Sequence, residues 1–204
     1  MTIGRQQSIN AMQQQSLFGT GMDAPVQIHR LFFAVLPDDA ARGAIAQVAE
    51  KLRANPAIHG RWIDPSRYHM TLHFLGDNSE LRQDLVDRAT VAAAKVKLHA
   101  FDISLDRLAS FHGRKPPGVL RSPNGGTPVH ALWQALRREL LHVGLGATLE
   151  AECTPHITIF YSDGAMLEPA AIEPIAWTVR EFVLVHSVVG QNAYRILERW
   201  ALPN

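Results

Sequence analysis

Cysteine is almost absent from this chain, because only Cys153 among its 204 residues carries a thiol. A single cysteine cannot form an internal disulfide, and neither a zinc ribbon nor an iron–sulfur centre can be built from one thiolate. Such a composition is typical of proteins in a reducing compartment. We therefore predict a cytoplasmic protein without a disulfide framework.

Long hydrophobic runs and phosphate-binding glycine loops are missing as well. No stretch of about 18 uncharged apolar residues occurs, so we expect no membrane span. Residues 1–27 lack the continuous apolar run of a signal peptide. Neither G-x-x-x-x-G-K-[ST] nor G-x-G-x-x-G is present, so neither phosphate-loop family is supported.

The chain also lacks an excess of positive or negative charge. The chain has 20 Lys and Arg against 19 Asp and Glu, which gives a formal net charge of +1. That balance does not suit a protein that holds long duplexes by counterion release alone. Any anionic partner should be small, or bound locally.

What the chain does contain is enough apolar sequence for a sizeable core, with 47% hydrophobic residues. We expect residues 1–27 to form a flexible extension and residues 28–204 a single domain. Strand-like and helix-like segments are mixed along that domain, and several strands adjoin through short turns. This order favours an α+β fold over a doubly wound parallel one.

Several elements can be placed within that domain. RLFFAVLP at 30–37 predicts a buried strand, and Asp38 or Asp39 can cap the helix that follows it. Helical spacing also appears at 79–97 and 128–144, and alternation predicts a strand at 101–111. We expect the segments at 177–189 and 193–202 to form an antiparallel hairpin.

One short pattern occurs twice, as HMTL at 69–72 and HITI at 156–159. On a strand, alternate residues share a face, so each copy presents a histidine and a threonine on one face and apolar residues on the other. By this rule Met70, Leu72 and Phe74 should face the core. If the two strands lie side by side, one cleft holds His69, Thr71, His156 and Thr158.

That set of side chains suits attack on a phosphodiester. One neutral imidazole can accept a proton from water while the other, protonated, donates one to the leaving oxygen; a pKa near about 6.5 makes both states accessible near neutrality. Threonine hydroxyls can donate hydrogen bonds to the non-bridging oxygens. The scheme requires no metal, and we expect a bell-shaped pH profile with both limbs near neutrality.

The doubled motif and its flanking sequence resemble the two-histidine phosphoesterase superfamily. Within it the chain is most similar to the bacterial RNA 2′,3′-cyclic phosphodiesterases, also called 2′-5′ RNA ligases. The shared landmarks run in the family's order across residues 30–202: RLFFAVLP, RW at 61–62, HMTLHFLGD, TPHITI, EFVLVHS at 181–187 and YRILERWAL at 194–202.

The resemblance implies a bilobal α+β fold in which two antiparallel sheets face each other, with helices outside and one motif on each sheet. It implies hydrolysis of a terminal 2′,3′-cyclic phosphate on RNA to a 2′-phosphate. Carried over by motif, His69 is the proton donor, His156 the proton acceptor, and Thr71 and Thr158 bind phosphate. It implies no cofactor, no metal and no membrane; the expected partners are RNA ends or small cyclic nucleotides, and we expect a monomer.

The sequence departs from the family pattern at two positions. Many members have an arginine five residues after the second histidine, where this chain has Tyr161, and a tryptophan where it has Arg121. Arg121 could contact substrate or lie on the surface. Tyr161 could stack on a base, although we expect it to close the core.

Other candidates have less support. His73 shares the alternation of His69, but about 13 Å of strand between them is too far for a shared metal, so we expect an exposed rim residue. Cys153 is expected to be a buried, inert thiol. Trp62 could stack on RNA or anchor the core, and the basic turn at 112–115 could guide RNA or be only solvated.

Two alternatives to hydrolysis remain open from the sequence. A non-catalytic module could bind nucleotides or RNA ends in the same cleft, although binding alone does not demand two proton carriers. The same residues could also catalyse 2′-5′ ligation, the reverse reaction, although hydrolysis should dominate in dilute water.

Overall fold

The structure, a computed structural model, describes residues 27–122, 126–164 and 166–204. Residues 1–26 of the expected N-terminal extension therefore lie outside the described residues. The described residues form nine strands and three α-helices, in the order β1 (His29–Val35), α1 (Asp39–Arg53), β2 (Gly60–Trp62), β3 (Met70–Asn78), α2 (Gln83–Ala93), β4 (Phe101–Ser110), β5 (Pro117–Arg121), α3 (Thr127–His142), β6 (Ile157–Ser162), β7 (Ala170–Val179), β8 (Glu181–Val188) and β9 (Tyr194–Ala201).

The helices form where apolar residues recur at helical spacing. Helix α1 begins after Asp38, whose carboxylate accepts a hydrogen bond from the backbone N–H of Ala41 at 2.8 Å, as a capping residue should. Helix α3 buries the predicted stripe of Val129, Leu132, Trp133, Leu136 and Leu140. With 16 residues α3 is the longest described helix, and none of those helices could span a bilayer.

The strands form one antiparallel sheet in the order β7-β4-β5-β6-β3-β1-β8-β9, with β2 paired to part of β6. The predicted α+β class is confirmed. The two sheets that were expected to face each other are joined, because Met70 of β3 pairs with Ile157 of β6. This is the one residue pair between the two strands, since each strand starts there and the two run in opposite directions.

Strand β1 shows how the core divides between the two faces of the sheet. Leu31, Phe33 and Val35 pack with the buried residues of all three helices. Phe32 and Ala34 point to the other face and belong to a smaller cluster with residues of β8. The helices therefore cover one face of the sheet, and on the other face the buried apolar residues of the described ranges form only that small cluster.

The end of the chain differs in part from its prediction. The hairpin of β8 and β9 forms as expected, with Phe182 opposite Trp200. Residues 177–179, however, belong to β7, which pairs with β4 on the far side of the sheet. The strand predicted at 177–189 is interrupted at Arg180 because the chain crosses there from one half of the sheet to the other.

Candidate active site

The two histidine motifs meet where strands β3 and β6 begin. Met70 and Ile157, the first residues of these strands, are paired across the antiparallel ladder. Both side chains are buried in the core on the helix side of the sheet. Because neighbouring residues on a strand point to opposite faces, the residues that flank this pair turn to the face without helices.

The register sets each histidine against the threonine of the other motif. One residue beyond the Met70–Ile157 pair, His69 stands opposite Thr158 and Thr71 opposite His156. The structure thus brings the four predicted side chains together, and all of them line one cleft of about 340 Å³.

Each motif strand has a β-bulge at the fourth residue of its motif. In β3, Leu72 is skipped by the pairing with β1, and in β6, Ile159 is skipped by the pairing with β5. An extra residue in one strand shifts the alternation, so that later side chains exchange faces. The strict alternation expected from the sequence therefore fails after the fourth motif residue.

This change of face corrects two expectations for the first motif strand. Phe74, which was expected in the core with Met70 and Leu72, lines the cleft instead. His73, which was expected at an exposed rim, is 2% exposed. Its Nε2 lies 2.9 Å from the carbonyl oxygen of Trp133, and its ring stacks on that indole with centroids 5.0 Å apart. His73 therefore helps to pack α3 against the sheet.

The same change of face occurs in the second motif strand. Phe160 turns into the core over Gly118, where a Cβ would lie 1.9 Å from the phenyl ring. Tyr161 turns to the cleft, so the expectation that it closes the core is wrong. The guanidinium of Arg61 lies over the Tyr161 ring at 4.8 Å. Trp62 stacks on Phe160 at 4.5 Å, which makes it a core anchor.

Hydrogen bonds to the backbone orient both imidazoles in the same way. His69 Nδ1 lies 2.8 Å from the carbonyl oxygen of Arg67, and His156 Nδ1 lies 2.6 Å from that of Thr154. A carbonyl oxygen only accepts, so Nδ1 must carry the proton in both rings. Nε2 is therefore the nitrogen of each ring that can gain or lose a proton. The geometry treats the two rings alike and does not order their roles.

Aromatic side chains hold the rings from the side. His69 packs against Phe32 at 5.0 Å and, with the two rings nearly perpendicular, against Tyr194 at 5.3 Å, measured between ring centroids. Phe111 meets His156 edge-on at 4.8 Å. Both histidines are consequently partly removed from water.

Burial lowers the pKa of both histidines. The pKa of His69 is lowered to about 4: desolvation is the main cause, the bond to the Arg67 carbonyl opposes it, and the nearby charges of His156 and Arg67 add to the lowering. Desolvation also lowers the pKa of His156, and the positive charge of Arg121 adds to that effect. The unperturbed pKa assumed from the sequence therefore does not hold for either ring in the free protein.

Three arginines that were not among the predicted site residues line the cleft: Arg30, Arg61 and Arg67. Arg30 forms two hydrogen bonds of 2.8 Å with Asp77, so its charge is already compensated. Arg67 lies over the ring of Tyr194 at 4.6 Å, and its buried Nε has no hydrogen-bond partner among the described residues. Arg67 therefore has an unused donor close to His69.

Arg121 is not one of the described residues that line the cleft. It ends β5, one residue beyond the pair of Leu120 with Ile157, and so stands opposite His156. The side chain is partly buried, and its Nε has no hydrogen-bond partner in the described part of the chain. It is therefore not a solvated surface charge.

An alignment of the two histidine motifs with each other could have identified some of the additional residues that line the cleft. Phe74 and Tyr161 both stand five residues after a motif histidine, and both line the cleft. Arg61 is paired with Tyr161 in the ladder between β2 and β6. Tyr194, from the far end of the chain, has no local signal of this kind, because the fold alone brings β9 to the cleft.

The remaining candidates do not join the site. Burial raises the pKa of the Cys153 thiol to about 11, so it stays protonated at neutral pH and is a poor nucleophile. Within the described residues, no group of three or more His, Cys, Asp or Glu side chains could hold a metal ion. In the basic turn at 112–115, Lys115 pairs with Asp163 at 3.1 Å.

Comparison with known proteins places this cleft in a family. The model of the 2′-5′ RNA ligase superfamily matches residues 36–191, which include both histidine motifs. An RNA 2′,3′-cyclic phosphodiesterase of Thermus thermophilus is 27% identical over 194 residues, spanning 85% of this chain and 90% of that protein.

Solved structures show the same fold. The crystal structure of E. coli LigT complexed with ATP superposes with a TM-score of 0.70 at 24% identity, over 87% of this chain and 99% of that one. E. coli LigT complexed with NADP+ gives a TM-score of 0.68 at 26% identity, over 86% of this chain and 98% of that one.

Proposed function

Because the chain belongs to the 2′-5′ RNA ligase superfamily, we propose that it hydrolyses a 2′,3′-cyclic phosphate at an RNA end and leaves a 2′-phosphate. The observation that carries this proposal is the square of His69, Thr158, His156 and Thr71 in one cleft. The similarity to the Thermus thermophilus phosphodiesterase supports the choice of substrate. The similarity to LigT crystallised with NADP+ supports nucleotide binding.

The two imidazoles share the proton transfers of the reaction. Neutral His156 accepts a proton at Nε2 from a water that attacks the phosphorus in line. Protonated His69 donates a proton from Nε2 to O3′ as the P–O3′ bond breaks, which leaves a free 3′-hydroxyl and a 2′-phosphate. The hydrogen bonds from Nδ1 to the backbone orient each ring so that its Nε2 is the nitrogen that transfers the proton.

Hydroxyl and guanidinium groups stabilise the charge that builds up on the phosphate. Thr71 and Thr158 donate hydrogen bonds to the non-bridging oxygens from opposite sides of the cleft. Arg67, which lines the cleft beside His69, contacts the phosphate from the side of the first motif. An arginine and a phosphate are well matched, because the guanidinium presents its donors in a fixed planar fork.

The proposed reaction uses no metal, because the imidazoles supply both proton transfers. Catalysis should therefore survive treatment with EDTA. A loss of activity on chelation, restored by a divalent cation, would show that an ion takes part.

Single-turnover hydrolysis by histidine variants tests the mechanism. We expect His69→Ala and His156→Ala each to slow hydrolysis of an oligoribonucleotide with a 2′,3′-cyclic phosphate by about 10²–10⁴, the usual contribution of a general acid or base. The matched control is His112→Ala, which removes an exposed histidine from the basic turn. Near-normal turnover by either active-site variant would refute the two-histidine mechanism. Tight binding without turnover by the unaltered protein would favour the binding module instead.

A further inference from the structure

Two arginines stand directly opposite each other next to the second histidine. Arg107 of β4 pairs with Arg121 of β5 in the antiparallel ladder. Both side chains are partly buried. Like charges directly opposite each other in a sheet are destabilising, because their Cβ atoms lie only about 5 Å apart. A fold that retains this pair needs a compensating charge.

No described residue supplies that charge. Neither arginine forms an ion pair among the described residues, and the Nε atoms of both are buried there without a hydrogen-bond partner. Asp106 precedes Arg107, yet its buried Oδ1 is unpartnered as well. Buried donors without acceptors are costly and uncommon in native proteins. The two side chains are only partly buried and carry charge that no described acidic group compensates, so an anion that binds from outside can compensate it.

The pair lies on the cleft face of the sheet. Leu108 follows Arg107, and Leu120 precedes Arg121. The two leucines are paired with each other and point into the core on the helix side of the sheet. Alternation turns Arg107 and Arg121 to the opposite face, the one that carries the cleft. Because Arg121 stands opposite His156, which precedes β6, the three residues form a row from the start of β6 across β5 to β4. With strands about 4.8 Å apart, Arg107 lies roughly 10 Å from the backbone of His156.

We propose that Arg107 and Arg121 bind the phosphodiester group that precedes the terminal nucleotide of an RNA substrate. The inference rests on the proposed hydrolysis of a terminal cyclic phosphate and names its substrate class as oligoribonucleotides. A cyclic mononucleotide has no such group, so it leaves both arginines unpartnered. An RNA chain that extends from the cleft across β5 and β4 neutralises both, and the guanidinium forks match phosphate oxygens.

A substrate that lacks only the charge of this phosphate tests the proposal. We would compare the dinucleotide ApA with a 2′,3′-cyclic phosphate end and the same molecule with a neutral methylphosphonate linkage. For the unaltered protein we expect kcat/KM to fall about tenfold with the neutral linkage. For Arg107→Gln this preference should be clearly smaller, because one of the two guanidinium groups that bind the charged linkage is gone. Arg107 is the better position to change, since the charge of Arg121 also acts on His156.

Two further variants distinguish the effect of the positive charge from that of the planar guanidinium group and provide a control at a distant arginine. Arg107→Lys keeps the charge but not the planar fork, so its preference for the charged linkage should lie between those of the unaltered protein and Arg107→Gln. Arg138→Gln, which removes an exposed arginine from α3, should keep the full tenfold preference. Thermal unfolding of each variant verifies its fold. An undiminished preference in both Arg107 variants would overturn the proposal.

The salt dependence of substrate binding is a second readout. The slope of log KM against log salt for the charged dinucleotide should shrink by about 0.7 in Arg107→Gln, the value for one lost contact to single-stranded nucleic acid. If no substrate is turned over at all, the proposed hydrolysis fails. Dissociation constants of the two dinucleotides, measured by calorimetry, would then still decide whether the arginine pair reads the phosphate.

Discussion

At the scale of single residues, the environment of the two histidines matters as much as their identity. His69 is enclosed by Phe32 and Tyr194, and burial lowers its pKa to about 4. A bound phosphate reverses part of this effect, because a nearby negative charge favours the protonated ring. Substrate therefore helps to create the proton donor that the proposed reaction requires.

The pH dependence of catalysis follows from these shifts. The proposed active form of the free enzyme has His69 protonated and His156 neutral, and this form is most populated between their two lowered pKa values. We expect kcat/KM, which reports the free enzyme, to be greatest between about pH 4 and 6.5. The kcat profile should lie at higher pH, because bound phosphate raises both pKa values.

Arg121 offers a control for this pH profile. Its positive charge lowers the pKa of His156, so Arg121→Gln should move one limb of the kcat/KM profile to higher pH. A kcat/KM profile with both limbs above pH 7 in the unaltered protein would contradict this account of the histidines.

At the scale of elements, the β-bulges decide which side chains reach the cleft. The bulge at Ile159 turns Tyr161 outward and Phe160 inward, and Phe160 can turn inward only because residue 118 is glycine. A methyl group there would lie 1.9 Å from the phenyl ring. The position of Thr158, next to this bulge, therefore depends on the contact between Gly118 and Phe160.

Gly118→Ala tests that dependence. Overpacking of a tight core contact costs about 1–3 kcal/mol, so we expect a loss of this order in the free energy of unfolding and a lower kcat. The control is Gly43→Ala in α1, where a Cβ would meet nothing within 4 Å. That change should stabilise the protein by about 0.5–1 kcal/mol, because alanine is the better helix former. Urea unfolding measures both, and an equal effect of the two changes would refute the argument.

The sequence predicts the elements better than it predicts the bulges. The apolar stripe of α3 and the cap at Asp38 could be recognised because helical spacing and capping residues leave a local signal. The bulges at Leu72 and Ile159 involve ordinary apolar residues, and nothing local marks an extra residue in a ladder. The errors for His73, Phe74 and Tyr161 all follow from that one omission, since each lies beyond a bulge.

At the scale of the whole molecule, buried neutral histidines make the fold sensitive to acid. Burial lowers the pKa of His73 to about 4, as it does for His69. The unfolded chain therefore binds more protons than the folded one between about pH 6.5 and 4. Above pH 6.5 the protonation of these histidines leaves the free energy of unfolding unchanged. It falls as the pH drops through that window, by up to about 1.4 kcal/mol per pH unit for each such histidine.

His73→Phe separates the titration of this residue from its packing. The variant keeps an aromatic ring beside Trp133 but loses the hydrogen bond to the carbonyl oxygen of that residue. We expect it to be less stable than the unaltered protein at pH 8, yet to lose less stability between pH 6.5 and 4.5. His112→Gln, at an exposed position, should leave the pH dependence unchanged. Urea unfolding at several pH values checks this, and an unchanged slope in His73→Phe would contradict it.

The joining of the two halves of the sheet is also a property of the whole molecule. The resemblance to the family predicted two facing sheets, and the pairing of Met70 with Ile157 links them at the point where the motifs meet. Sequence patterns identify strands but not their neighbours, since pairing depends on contacts between distant parts of the chain. The single link fixes the separation of the two histidines, on which the proposed reaction depends.

The most direct test of the central claim is to identify the product formed in water labelled with ¹⁸O. An oligoribonucleotide with a 2′,3′-cyclic phosphate end would be incubated with the unaltered protein and with His69→Ala and His156→Ala, and the product analysed by phosphorus NMR and mass spectrometry. We predict a 2′-phosphate that carries one ¹⁸O atom, formed rapidly by the unaltered protein and at least about a hundredfold more slowly by each variant. A 3′-phosphate product, or unchanged rates in either variant, would contradict the account.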